Sequence, residues 1–300
     1  MNRLGASVEA CQIASKTLEQ SLRELLASPE PISEIMLRDL WLKKMREHTS
    51  LYPDGWYMPP PHGMFVQFAT DKNPERVNKI SNRPPEAWPR PDIFLDRRHG
   101  LISAYASPVD RATGLIGDFS ISLYFGDNPD IHSLLKQTLA IEIALYEMLQ
   151  VGMEYVTIAQ KCAEYMAEHN MYNAVASPSD PAGTNIGHTI PSADVGWSES
   201  ELKVFERGDW DSVVDLISHK RVFVSATEHS RITATSAHTI EPRPMVINRP
   251  DLPMVNFHTM VVWQDGRKQL VTFFDDLFRL AGMDYMFDED TQIKVTAEEK

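Results

Sequence analysis

The 300 residues carry 29 Lys+Arg against 42 Asp+Glu, a formal charge of −13. That balance argues against nucleic acid or an anionic membrane surface as the main partner, because both attract basic faces. A hydrophobic share of 43% is enough for a large core and excludes a disordered chain.

The two cysteines, Cys11 and Cys162, are too few for a disulfide framework or a multi-thiolate zinc site, and both fall in segments that read as helix. Small buried apolar side chains account for them. The amino-terminal residues contain no apolar run of signal-peptide length. No stretch reaches the roughly 18 apolar residues of a membrane span. A soluble, cytoplasmic protein is the expectation.

In residues 7–27 the apolar positions Val8, Cys11, Ala14, Leu18, Leu22, Leu25 and Leu26 recur at three- and four-residue steps, predicting an amphipathic helix. A second helix is predicted over 33–48. Residues 53–91 are rich in proline, which predicts a long irregular excursion with a short strand near 63–68. Strands follow at 100–105 and 115–125. In the second, Phe119, Ile121, Leu123 and Phe125 alternate with Asp118, Ser120, Ser122 and Tyr124.

Two helices are predicted at 131–150 and 154–169, then a Ser/Pro/Gly loop at 177–184. Ser198 and Glu201 have capping-box spacing for a short helix, with another near 211–218. The last third reads as strands at 221–226, 232–242, 254–263 and 268–273, with a hairpin turn at Gln264-Asp265-Gly266. A helix at 275–281 precedes an acidic tail, 288–300. No repeat or linker divides the chain, so residues 1–287 are expected to form one α+β domain. Residues 53–91 are an excursion from it and 195–231 an insertion. Trp197 and Trp210 suit that insertion to a lid or a homodimer contact alike.

Four phrases carry a family resemblance. The first is Ser107-Pro-Val-Asp-Arg-Ala-Thr-Gly-Leu-Ile-Gly-Asp118 with the strand that follows, and the second is Gly183-Thr-Asn-Ile-Gly-His188-Thr-Ile-Pro-Ser. The third is Thr239-Ile-Glu241-Pro242, and the fourth is Phe257-His-Thr-Met-Val-Val-Trp-Gln-Asp-Gly266. In this order and spacing they resemble the methionine aminopeptidase, prolidase and creatinase superfamily. The resemblance implies a single pita-bread domain, a curved and mainly antiparallel sheet covered by helices.

The resemblance also implies two divalent metals held by two aspartates, one histidine and two glutamates, activating a bridging water. Matched residue by residue, Asp118 and Glu241 keep their places. Ser107, Thr184 and Phe257 stand where the other three ligands belong, and Pro191 and Ser192 replace a substrate-loop His-Glu pair. A standard dinuclear metallopeptidase is therefore not expected. Asp96 competes with Ser107 for the first aspartate position. His188 could supply the imidazole, and strand alternation turns His238 and His258 away from the pocket.

Three readings follow. The first is a divergent creatinase-like enzyme, a hydrolase or lyase acting on the C–N bond of a small amino-acid-like or amide substrate. Here Asp118, Glu241 and His188 are catalytic, the two close carboxylates push one pKa upward to give a general acid beside a general base, and Ser107, Thr184 and Phe257 shape the substrate pocket. The second is a non-catalytic pseudopeptidase that binds or scaffolds a partner. The third is a mononuclear metalloenzyme holding one Fe, Mn, Co or Zn ion on Asp118, His188 and Glu241.

Overall fold

The computed structural model describes residues 3–78, 85–174 and 184–287. The predicted 177–184 loop, apart from Thr184, and the acidic tail lie outside them. The predicted amphipathic stripe buries helix α1 (Arg3–Leu26) through Cys11, Ala14, Leu18 and Leu22. Helix α2 (Glu34–Arg46) starts where the Ser33 hydroxyl accepts the Met36 N–H, and its Trp41 donates to the Ala14 carbonyl at 3.0 Å. Both helices cover an antiparallel sheet of β1 (Met64–Thr70), β2 (Gly100–Ala106) and β3 (Phe119–Tyr124). Trp41 meets Phe119 edge-on at 6.4 Å, so the apolar face of β3 is the one that packs on the helices.

The proline-rich excursion is tethered by one buried acid. Glu34 accepts the Phe68 and Arg90 backbone N–H groups and a two-pronged ion pair from Arg76, both arms at 2.6 Å. Four donors on one carboxylate offset the cost of burying its charge. The tether joins β1, through Phe68, to Arg76 and Arg90 of the excursion.

Helices α3 (Pro129–Met148) and α4 (Tyr155–Glu168) follow, then β4 (Met171–Asn173), which pairs with β6 (Pro244–Val246). The capping box is present: Ser198 and Glu201 open α5 (Glu199–Arg207), and α6 (Trp210–Lys220) comes next. A second antiparallel sheet has the order β5 (Ser236–Ile240), β7 (Thr259–Gln264), β8 (Arg267–Val271), with α7 (Asp275–Leu280) beyond. The β7–β8 turn uses left-handed backbone at Asp265 (φ 51°) and Gly266 (φ 77°), as a tight hairpin requires.

The predicted strand at 221–226 is not a regular one. Its backbone bonds irregularly to residues 186–189, through Val224 N–H to Gly187 O and Thr189 N–H to Val222 O. The strand predicted from 254 begins only at Thr259.

Two further contacts join the sheets. His258 N–H donates to Ser120 O at 3.0 Å, and Asn256 N–H to the Ser122 hydroxyl at 2.9 Å. On the far side of β5, residues 186–190 run antiparallel to it, with Ile190 N–H on Ala237 O and Thr239 N–H on His188 O. The strands thereby form one curved, antiparallel surface; Asp118, Glu241 and His258 stand next to the ends of β3, β5 and β7 along its seam, and His188 reaches it from residues 186–190. Among the described residues, no helix is long and apolar enough to cross a membrane.

Candidate active site

A cavity of about 70 Å³ opens at that seam, lined by Asp118, His188, Arg221, Glu241, Arg243 and His258 among others. The three residues expected to be catalytic converge there. His188 Nε2 lies 3.2 Å from Asp118 Oδ2 and 3.7 Å from Glu241 Oε1. Its Nδ1 sits 3.0 Å from the Thr189 carbonyl, which can only accept, so Nδ1 carries a hydrogen. Nε2 is left facing the two carboxylates.

The backbone fixes that ring. Gly187 adopts φ 156°, and a Cβ there would stand 2.0 Å from the Thr239 carbonyl. Only glycine lets residues 186–189 lie this close to β5. The Thr239 hydroxyl also accepts the His188 N–H at 3.0 Å.

The two carboxylates have different surroundings. Asp118 Oδ1 accepts the Trp56 indole N–H at 2.7 Å, whereas Oδ2 is buried and has no hydrogen-bond partner among the described residues. The His188 contact to Oδ2 is therefore electrostatic, and a lone pair there remains available to a proton. Glu241 Oε2 is engaged by Arg243 at 2.9 Å and by His258 Nε2. Burial alone would push the Glu241 carboxyl up. The charges of His258 and Arg243, the His258 hydrogen bond and the His188 charge outweigh burial and hold it well below the usual carboxylate range. The expected upward push of a carboxyl is thus not what Glu241 shows, because His258 and Arg243 compensate its charge.

The expected pocket walls lie elsewhere. The Ser107 hydroxyl donates to Gly63 O and accepts the Tyr57 N–H, each at 3.0 Å, bracing residues 55–63. Thr184 Oγ1 accepts the Ala226 N–H at 3.0 Å. Phe257 is buried among Phe274 and Phe278, with ring centroids 5.5 and 5.7 Å away. None of the three lines the cavity. Asp96 is exposed and caps a turn through the Arg98 and His99 N–H groups, so it is no candidate either.

His258 corrects the alternation argument. With Asn256 and His258 facing the cavity, Phe257 takes the opposite face, a one-residue shift that exchanges every side chain. His238 does lie away from the cavity, buried with its ring edge-on to Tyr155 at 5.6 Å.

The site also contains residues that the sequence reading missed. Arg243 stands two positions after Glu241, a spacing that puts both on one side of an extended chain and could have flagged it. Its Nη1 is buried with no hydrogen-bond partner among the described residues. Arg221 stacks its guanidinium on Phe223, Trp56 and Tyr57, at 4.5, 5.2 and 5.7 Å from the ring centroids. Trp56 comes from the proline-rich excursion, and no local signal marks it.

A divalent metal pair does not fit these residues. Three of the five oxygen or imidazole donor positions hold side chains that turn away. Glu241 is already compensated by a guanidinium that would repel a cation. Among the described residues, no group of three or more His, Cys, Asp or Glu side chains is arranged to hold a metal ion.

Curved antiparallel strands covered by helices, with the site at their seam, define the pita-bread fold, and this chain has it. Solved structures with the same architecture bear that out. The X-Pro aminopeptidase of Thermotoga maritima MSB8 matches with a TM-score of 0.58 at 12% identity, over 90% of this chain and 61% of its own. The prolidase of Pyrococcus furiosus gives 0.58 at 14% identity, over 90% and 64%. The methionine aminopeptidase of Rickettsia prowazekii gives 0.59 at 14% identity, over 90% and 97%. The chain thus spans about three-fifths of the X-Pro aminopeptidase and prolidase chains. No family model matches it, and no curated protein matches it in sequence. Identity this low shows the architecture alone.

Proposed function

We propose that this chain is an enzyme acting on the C–N bond of a small amino-acid-like or amide substrate, without a dinuclear metal centre. The observation that carries this reading is the convergence of Asp118, His188 and Glu241 in one buried cavity, with His188 Nε2 between the two carboxylates. Such a grouping holds a base and an acid at hydrogen-bond range of a single reacting atom.

In the hydrolytic form, Asp118 Oδ2 takes a proton from water while the water oxygen bonds to the carbonyl or amidine carbon. The electron pair pushed onto the carbonyl oxygen or amidine nitrogen returns as the C–N bond breaks, the leaving nitrogen takes a proton from His188 Nε2, and Asp118 passes its proton on to His188. Glu241 stays ionised, held by Arg243 and His258, and keeps the His188 ring in place. The unpartnered Nη1 of Arg243 suits a substrate carboxylate, with Arg221 on the neighbouring wall. A cavity of about 70 Å³ suits an amino-acid-sized molecule better than a peptide.

The test is turnover of a panel of N-acyl, ureido and amidino amino acids by chelator-treated protein. Asp118→Asn and His188→Gln are each expected to lower kcat by about a hundred- to ten-thousand-fold. Arg243→Met raises KM for carboxylate-bearing substrates. Loss of activity on chelation, restored by Mn, Fe, Co or Zn, would establish the mononuclear alternative instead. Absence of turnover across the panel, with Asp118→Ala and Glu241→Ala both stabilising the fold, would favour a non-catalytic binding protein.

A further inference from the structure

A second cavity, of about 140 Å³, lies between residues 52–61 and helices α5 and α6. The rings of Tyr52, Phe205 and Trp210 and the aliphatic side chains of Pro61, Val109 and Val213 form most of its lining. Tyr52 and Phe205 stack on each other at 6.0 Å with 25° between their planes, and this pair gives the cavity an apolar aromatic side. An apolar cavity of about 150 Å³ admits a benzene-sized ring.

One polar atom stands out. Trp210 Nε1 is buried and has no hydrogen-bond partner among the described residues. An indole N–H can only donate, and a buried donor left unpaired is costly. The cavity's acid, Asp54, is engaged by Arg46 and His62, each at 2.7 Å, and is not available to an uncharged ligand.

Both walls continue into the candidate active site. The near wall includes Gly55, and the next residue, Trp56, donates to Asp118 Oδ1. The far wall is α6, and the residue after it, Arg221, lines the active cavity. Ser107 holds the near wall by accepting Trp56 N–H at its carbonyl and Tyr57 N–H at its hydroxyl.

We propose that this cavity binds a six-membered aromatic or heteroaromatic ring with one hydrogen-bond acceptor directed at Trp210 Nε1, and that occupancy is felt at Trp56. A ring in the cavity touches residues 52–55, which run directly into the Trp56 that donates to Asp118, so its contacts are passed to that hydrogen bond. The inference stands on the second cavity and does not depend on which reaction the first one performs.

The experiment is a titration of the full chain, ¹⁵N-labelled at its tryptophan indoles, with pyridine above its protonation range and with benzene as the ring lacking an acceptor. Trp210→Phe and Trp56→Phe identify the two signals. Pyridine should shift the Trp210 indole N–H downfield saturably and move the Trp56 signal with the same midpoint. Benzene should perturb both without the large downfield shift at Trp210. Val213→Trp, which fills the cavity, should abolish both responses, and Val109→Phe serves should that variant not fold. A response that does not saturate, or that persists in the filled variants, overturns the site. Saturation at Trp210 with Trp56 unmoved overturns the coupling.

Discussion

Glu241 and Glu142 are both buried carboxylates, one at the seam of the curved sheet and one on α3, and their surroundings drive them in opposite directions. Glu241 meets Arg243, His258 and His188 and is held below the ordinary carboxylate range despite its burial. Neither oxygen of Glu142 has a hydrogen-bond partner among the described residues. Burial raises its pKa well above the usual value. The nearby Thr259 hydroxyl, which itself donates to Ile240 O, opposes the rise without reversing it, and the Glu241 charge adds to it. Burial costs each acid alike. What decides the charge state is whether cations were built around it.

His238 behaves as Glu142 does. Its two ring nitrogens have no partner among the described residues, and burial lowers its pKa to about 4. The contrast is therefore between a seam where charge is kept and compensated and a hidden face where ionisable groups are kept neutral. A pocket that needs fixed charges for chemistry gains from the first arrangement. The second only costs stability, at a pH set by each group.

The largest effect should come from breaking the compensated side. Arg243→Met leaves Glu241 buried without its guanidinium, and urea unfolding at neutral pH should show a loss of about 3–5 kcal/mol. The sign is set by a depressed folded pKa. Glu241 stabilises the fold above its unfolded value of 4.5, and that contribution is lost as pH falls below it. The variant's stability should thus fall less steeply in acid than the parent's.

Next in size is His238. Its unfolded value is 6.5 and its folded value about 4, so the unfolded chain binds the extra proton between them. Stability is complete above 6.5 and declines by about 3 kcal/mol as pH drops to 4. His238→Phe should flatten that window in a pH series of urea midpoints. A decline that persists in the variant would place its source elsewhere.

The sequence already contained much of this contrast, and its failures have physical causes. Helices α1 to α4 were legible because long runs with recurring apolar positions, bounded by breaks such as Pro29–Pro31, are local signals. Asp118, Glu241 and His188 could be placed because the phrases that contain them resemble family motifs, and Asp118 and Glu241 stand next to strand ends whose neighbours set their direction. His258 was misplaced because residues 254–258 are not yet strand, and alternation counted back through them inherits an assumed starting face. Trp56 and Arg221 were invisible, because Trp56 reaches Asp118 and Arg221 reaches the cavity from segments distant in sequence, by packing that no local pattern encodes. The neutral burial of Glu142 was hidden too, because its helix reads as ordinary until the sheet behind it is known.

Glu142→Met should sharpen the comparison from the uncompensated side. Burial raises the folded carboxyl's pKa, so its contribution is complete below 4.5 and is lost as pH rises toward the raised folded value. At mildly alkaline pH the variant should be more stable than the parent by about 1–3 kcal/mol, and the two should converge in acid. No gain at any pH would mean that Glu142 finds compensation in solution.

The smallest effect separates pKa from stability. Glu201 is lowered to about 2, first by its Lys220 hydrogen bond and then by the Ser198 backbone and hydroxyl, the same direction as Glu241. It lies at the surface, where water and salt screen the pair and two long side chains lose freedom to make it. Lys220→Ala should move the Glu201 titration back toward the ordinary range by NMR, least so at high salt, while the urea midpoint stays unchanged. A clear loss of stability in that variant would show that a surface cation can act as Arg243 does. The contrast between the two acids would then rest on charge pairing alone and not on burial.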